Sequence, residues 1–438
     1  RELSIIEDTS LISKEVKLKY SNFKTSDLIS VNVSSSEICQ RYACNIIKNI
    51  KVSDSPVWLK NRLNIIGQPT INNIVDLANY IMFDLGHPLH IFDYDKINGN
   101  KIDVRYAENN EKLLCLNNEL KKLSNDDIVI ADSKGPIAIA GVIGGYDSQV
   151  TSETKNILIE CAVFNEVLIR KTSKKYDYSK EASKRFERGV DAGNVINVLD
   201  KFSKILTMDN NCEVSSEYID LKLNMTDKLK LKFNSQNCNQ FLGIDLDNKN
   251  YSQIFSKLSI KNKLNGDDFE CVVPTYRNDI SREVDLYEEV ARVYGYDNIP
   301  SNNSFFISSK CFVDDKLSLE DSIRNILSLN GFNEHLSNSL YSQKDIDLCS
   351  QYIPIELINP LSNEMKFLRN DLLPGLLKAV SYNENRNSDF LQLYEIGSVN
   401  IYNKKLYNKS SEYRHLGIIW TESSTQHWKY PLTNDIYT

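Results

Sequence analysis

A single carboxylate interrupts an apolar run: Glu160 stands among Ile157, Leu158, Ile159, Cys161, Ala162, Val163 and Phe164. An isolated carboxylate in an apolar interior is very costly. It must be paired, protonated, turned to a wet cavity, or set on an edge strand facing solvent. Asn79 makes a similar interruption, sharing a stripe with Val75 and Met82 at i, i+4 and i+7. An amide there finds hydrogen-bond partners or costs about 1–3 kcal/mol, and it either pins the adjacent loop or meets a ligand. His90 follows eleven residues later on a loop held open by Pro88. His87 and His90 form an HxxH pair, but Pro88 breaks helical geometry between them. No acid or thiol lies at ligand spacing, so a metal site is not expected there.

Two further groups carry chemistry by spacing. Gly141, Gly144 and Gly145 follow a strand-like run in "PIAIAGVIGG". Glycines let backbone groups approach a ligand closely, and they equally well make a tight turn. They lack the spacing of a dinucleotide fingerprint and the lysine of a phosphate loop. Asp285, Glu288 and Glu289 fall at i, i+3 and i+4 of one helix, with Asp279 six residues upstream. Four hard oxygen donors so placed suit a cation such as Mg²⁺ or a basic partner. The competing reading is acids drawn to a helix N-terminus by its dipole.

The elements that must position these residues are legible in outline. "RYACNIIKNIKV" reads as a strand, and "SPVWLKNRLNIIG" as a helix with Ser55 at the N-cap, Pro56 at N1 and Gly67 past its end. Ile74, Ala78, Ile81 and Leu85 repeat at helical spacing, and Gly86 stops that helix. Strand-like runs then dominate to Phe164, including "NDDIVIAD" and "NILIECAVF", and a basic helical stretch closes the region near residue 205. Farther on, "KLKLKF" and "FECVVPTY" read as strands. "YSQIFSKLSI" and "SREVDLYEEVARVYGY" read as helices.

Composition bounds the class. The chain has 438 residues, so two or three domains are expected, and 41% hydrophobic with 25% charged residues is ordinary for a globular protein. No apolar run approaches the roughly 20 residues of a membrane span. Nine scattered cysteines without a CxxC pair argue for reduced cytoplasmic thiols. The net charge of −7 excludes a protein coated in basic residues. A local basic stretch at residues 170–189 holds eight Lys or Arg against three acids, and reads as a solvated helical face or a phosphate track. The first residue is Arg1 and the last Thr438, and the sequence reads as an excerpt of a longer chain.

Several blocks, in order and at compatible spacing, resemble the β subunit of bacterial-type phenylalanine–tRNA ligase. They are "IVDLANYIMFDLGHPLHIFDYDKI", "IAIAGVIGG", "NILIECAVF", "SKRFERGVD", "YRNDISREVDLYEEVARVYGYDNIP" and "FLRNDLLPGLL", and they span nearly the whole chain. The resemblance implies an α+β multidomain protein. Residues 1–33 would be the tail of a preceding domain, and 34–205 a mixed α/β tRNA editing domain. A linker at 206–224 would lead to a small winged-helix-like domain at 225–300. Residues 301–438 would be a truncated, non-catalytic, class II synthetase-like antiparallel sheet domain.

The same resemblance implies function. In an α₂β₂ complex the α subunit would bind ATP and join phenylalanine to tRNA(Phe), while this chain would hydrolyse mischarged tyrosyl-tRNA. An apolar pocket rejects an added hydroxyl only about a hundredfold, so a second site is needed. Glu160 matches the family's phenol-recognising position, Gly141 and Gly144 the backbone platform, and Ala140 the pocket lining. Asn79 and His90 match residues around the terminal adenosine and the ester. The family has a threonine where this chain has Ala78, so one hydroxyl is absent. Asp279, Asp285, Glu288 and Glu289 match an Mg²⁺ cluster. Arg369 is followed by Asn370 and Asp371 rather than the Arg-x-Glu of a working nucleotide site, so the third domain is expected to dock the α subunit. The alternatives are a free-standing aminoacyl-tRNA hydrolase and a non-catalytic nucleic-acid-binding module.

Overall fold

The structure is a computed structural model that describes residues 2–7, 9, 18–209, 211–224, 229–266, 268–301, 315–348, 352–386, 390–407 and 409–421. The chain divides into two compact units, Arg1–Asn303 and Ser304–Thr438. The first opens with α1 (Glu2–Ile6) and β1 (Ser30–Val33), followed by β2 (Cys39–Lys48), α2 (Val57–Ile65), α3 (Asn73–Leu85), β3 (His90–Asp93) and β4 (Lys101–Tyr106). Then come β5 (Lys112–Leu114), β6 (Leu120–Lys122), β7 (Ile128–Ala131), β8 (Pro136–Ile139), β9 (Ile143–Gly144) and β10 (Ile157–Phe164). Helices α4 (Glu166–Tyr176), α5 (Glu181–Phe186) and α6 (Val195–Asp209) precede β11 (Glu213–Val214) and β12 (Ile219–Lys222).

Two five-stranded sheets build the first core. One runs β1-β4-β7-β8-β9; the other runs β11-β2-β10-β3, with β12 also on β2. Every residue of β10 is buried, because it lies between β2 and β3. That explains an unbroken apolar run in place of alternation. Helix α3 is set by its ends: the Asn72 side chain accepts from the N–H groups of Ile74 and Val75, and Gly86 closes it at φ 74°. Ser55 does not cap α2; Pro56 holds that position, and the Ser55 hydroxyl instead meets the buried Asp76 carboxylate at 2.5 Å.

Both predicted boundaries of this region shift. Within 1–33, Ile29 is buried in the core and β1 pairs in parallel with β4. Residues 206–224 are no linker: β11 and β12 both pair with β2. Sequence reading missed them because they are short and complete a sheet begun far upstream.

A second core in the same unit packs the antiparallel sheet β13 (Lys230–Asn234), β15 (Asp268–Val272), β14 (Lys261–Asn265) against α7 (Ser235–Leu242), α8 (Asn248–Lys257) and α9 (Glu283–Tyr294). Phe233 is its hub, with the rings of Tyr251, Phe255 and Tyr287 within 5.6 Å between centroids.

The second unit holds α10 (Asp315–Leu329), β16 (Asn333–Glu334), β17 (Leu340–Tyr341), α11 (Gln343–Leu348), β18 (Ile355–Glu356), β19 (Phe367–Leu368), α12 (Leu373–Glu384), β20 (Gln392–Tyr402) and β21 (Ser410–Trp420). The sheet β16-β20-β21 is mixed rather than wholly antiparallel: β20 and β21 pair antiparallel over eleven residues, but β16 joins β20 in parallel. Arg369 is buried. Its guanidinium donates to Glu395 Oε1 at 2.5 Å and to the Ser398 carbonyl at 2.7 Å.

Candidate active site

Glu160 is central in its sheet, not on an edge. Its partner on β3 is His90 and its partner on β2 is Cys44. Directly opposed residues of antiparallel strands share a face, so His90, Glu160 and Cys44 form one row. His90 and Glu160 of that row look toward the other sheet across a cavity of about 220 Å³. Ile130, Ala138, Ile139, Gly141 and Gly144 line it from that side, and Ala182 and Phe186 of α5 close it. His90, expected on a loop, is the first residue of a strand; the apolar pair Ile91 and Phe92 buries behind it.

The electrostatics follow from burial. Glu160 is 3% exposed, and its Oε2 has no hydrogen-bond partner among the described residues. Burial pushes its carboxyl up to about 8, so it is a neutral acid at pH 7. Burial also pulls His90 down to about 4, leaving a neutral imidazole. A neutral acid with a free oxygen and a neutral imidazole thus share a small, mostly apolar cavity. Behind them lies a residue the sequence reading did not single out. Tyr42 is fully buried on the Glu160 face, its hydroxyl has no partner, and burial followed by Glu160 raises its pKa.

The glycines keep the cavity open. A Cβ on Gly144 would sit 2.5 Å from His90 Cε1 and 3.0 Å from His90 Nε2. Gly141 takes φ 66°, and a Cβ there would press Phe186, Ile169 and Phe164 at 3.0–3.3 Å. Only a residue without a side chain satisfies both constraints. Ala140 is buried behind the lining rather than part of it. Ala78 is buried and Asn79 half-buried on α3; neither lines the cavity, and the Asn79 amide has no hydrogen-bond partner among the described residues. His87 is also buried: its Nε2 donates to the Ala162 carbonyl at 3.0 Å, which leaves Nδ1 unprotonated and unpartnered.

The four carboxylates read as an Mg²⁺ cluster are not gathered around a common point. Arg277 grips Glu289 with two bonds of 2.7 and 2.8 Å and Asp279 with its nearest bond at 2.6 Å. Arg292 adds a bond of 2.7 Å to Glu289. Asp285 turns back to accept the Ser281 and Arg282 N–H groups, both at 2.8 Å, and Glu288 is exposed. The Arg277 hydrogen bonds pull Asp279 below the usual carboxylate range. Burial pushes Glu289 up, yet Arg277 and Arg292 hold it low. Among the described residues, no three His, Cys, Asp or Glu could hold a metal ion. The donor directions of Asp279, Asp285 and Glu289 are taken by arginine and backbone N–H groups, so this arrangement does not fit a divalent cation. Helical spacing showed a shared face; it could not show that Arg277 would fill it.

Comparison with known proteins places the chain. Residues 38–208 match the B3/4 domain, 231–296 the tRNA synthetase B5 domain, and 312–436 the phenylalanyl tRNA synthetase beta chain CLM domain. That order defines an aminoacyl-tRNA synthetase subunit. Proteins named phenylalanine–tRNA ligase beta subunit match along most of the sequence. The one from Protochlamydia amoebophila is 36% identical over 417 residues, 94% of this chain and 52% of that protein. The one from Halalkalibacterium halodurans is 35% identical over 408 residues, 91% and 50%. The one from Staphylococcus saprophyticus is 34% identical over 433 residues, 98% and 54%. The chain belongs to the phenylalanine–tRNA ligase β-subunit family of bacterial type, and spans about half the length of these relatives.

Proposed function

We propose that the protein carrying this chain works as the β subunit of a phenylalanine–tRNA ligase, and that the Glu160 cavity hydrolyses mischarged tyrosyl-tRNA(Phe). The observation that carries the second part is the unpartnered Glu160 Oε2 on the wall of a cavity shared with His90. A phenol hydroxyl both donates and accepts, so it can satisfy a neutral carboxyl. A phenylalanine ring would leave that oxygen orphaned, at a cost of about 1–3 kcal/mol. The cavity therefore favours tyrosine where an apolar pocket alone would hardly discriminate.

Hydrolysis adds water across the aminoacyl ester. Its oxygen bonds to the carbonyl carbon, the ester C–O bond breaks, and the ribose hydroxyl leaves with a proton. His90, with a pKa near 4, is a weak base at pH 7. Its part is to orient the water or the ribose hydroxyl rather than to take the proton outright. Gly144 gives it the room to do so. No step runs through Mg²⁺.

The α partner, in an α₂β₂ assembly, would bind ATP and attach phenylalanine. Exposed apolar side chains in the second unit suit such a partner: Leu319, Ile326 and Leu329 on α10, and Leu416, Ile418 and Trp420 on β21. Such work belongs in the cytoplasm; among the described residues, no helix is long and apolar enough to cross a membrane.

The deciding experiment is deacylation of tyrosyl- and phenylalanyl-tRNA(Phe) by the Glu160→Ala protein in complex with its α subunit. The preference for the tyrosyl ester should fall at least tenfold. Unchanged selectivity would refute the assignment.

A further inference from the structure

The α4–α5 segment forms one wall of the cavity. Ala182 and Phe186 line it, and Ile169 of α4 lies against Gly141. The outward side of α4 has a different character. Arg170, Lys171 and Lys174 are exposed, opposite the buried Ile169, Thr172 and Ser173. Arg170 and Lys174 stand at i, i+4, and Lys171 and Lys174 at i, i+3. Like charges at those spacings repel and weaken a helix. None of the three side chains has an ion-pair or hydrogen-bond partner among the described residues. Three of the neighbouring cations are already committed: Lys175 to Asp127, and Lys184 and Arg185 to Glu181. A chain of net charge −7 thus keeps an uncompensated basic ridge on the outside of its cavity wall.

We propose that the ridge of Arg170, Lys171 and Lys174 docks the phosphate backbone of RNA, so that the strand's 3′ end turns over the α4–α5 wall into the cavity. Two observations select the occupant. A row of free cations along one helix is complementary to a polymer of regularly placed phosphates. The ridge also lies on α4, which leads directly into α5, the helix whose Ala182 and Phe186 close the ester-binding cavity, so a strand held there has its end within reach. The route to the cavity rests on the hydrolase reading above; contact with RNA does not.

The test uses uncharged RNA, so it succeeds or fails whether or not the cavity cleaves an ester. Fluorescence anisotropy would follow binding of a labelled tRNA(Phe) transcript, and of a short single strand ending in CCA, to the 438-residue chain. Salt would be varied between about 50 and 200 mM KCl. The Arg170→Gln, Lys171→Gln, Lys174→Gln triple variant should bind about tenfold more weakly at the low-salt end. Its slope of log affinity against log salt should flatten by about 2, at roughly 0.7 per single-strand phosphate contact. A control triple of Lys249→Gln, Lys261→Gln and Lys263→Gln removes equal charge from exposed positions of the second core and should change affinity less than about twofold. Parental binding by the ridge variant, or equal losses in both triples, would overturn the proposal. So would ridge-dependent binding to phosphatidylglycerol vesicles without binding to RNA. Ridge-dependent RNA binding with no tyrosyl ester hydrolysis would keep the docking surface and dismiss the hydrolase.

Discussion

Glu160 and His90 face one another as paired residues of β10 and β3, and the same burial drives their pKa values in opposite directions. The stability of the fold should carry both signatures. The raised Glu160 carboxyl contributes stability that is full below its unfolded value near 4.5 and is lost as pH rises through about 8. The lowered His90 contributes stability that is present above its unfolded value near 6.5 and is lost as pH falls through about 4. Denaturant melts across pH should show the parent losing ground to Glu160→Gln on the alkaline side, and to His90→Gln on the acid side. Each difference is on the order of a few kcal/mol. Parallel profiles for parent and variants would mean the two groups are not buried as described.

Gly144→Ala should act through His90. The new methyl would meet the imidazole at about the 2.5 Å already noted for Cβ, so the ring must swing out of the cavity. Overpacking of this kind costs about 1–3 kcal/mol. Tyrosyl-tRNA deacylation should fall more than tenfold, while the protein stays folded by circular dichroism. Full activity in the alanine variant would show that the ring's position is unimportant.

Arg277 should be the cation of the acidic cluster. The parental melting temperature should then be the same in Mg²⁺ as in EDTA. Arg277→Gln leaves the buried Glu289 with Arg292 alone and Asp279 without its ion pair. The expected cost is about 2–4 kcal/mol, discounted from a fully buried pair because Arg277 keeps some solvent contact. That variant should become sensitive to Mn²⁺, which restores part of the loss. Stabilisation of the parent by Mg²⁺, abolished in Glu289→Gln, would reverse the assignment.

Arg369 and Glu395 should stand or fall together. Both are buried, and removing either partner leaves an uncompensated charge, at about 3–5 kcal/mol. Arg369→Met combined with Glu395→Leu should cost much less than the sum of the single changes. A double-mutant cycle read by chemical denaturation gives the coupling directly.

Much of this was legible in the sequence, at the level of anomalies. The α3 helix announced itself through its apolar repeat and its stop at Gly86, while its Asn72 cap was seen only in the structure. Glu160 stood out because an apolar run has no use for a carboxylate. What was not legible depended on partners distant in sequence. Whether β10 was an edge or a centre turned on β2, more than a hundred residues upstream. His90 read as a loop residue because Pro88 hid the short strand behind it. The acidic helix was read for its own spacing, while the group that answers it, Arg277, lies before the helix begins. Tyr42 gave no signal at all, since a tyrosine in a strand is ordinary until its hydroxyl is found without a partner.

Strand β10 is enclosed on both sides by other strands and covered along all eight residues. Its amide protons can trade with solvent only when the whole first core comes apart, so they should be among the slowest in the chain to take up deuterium. The residue at the heart of the cavity thus sits on a strand enclosed on both sides by others. Breathing that admits a large ester must come instead from the helical wall or the glycine hairpin opposite.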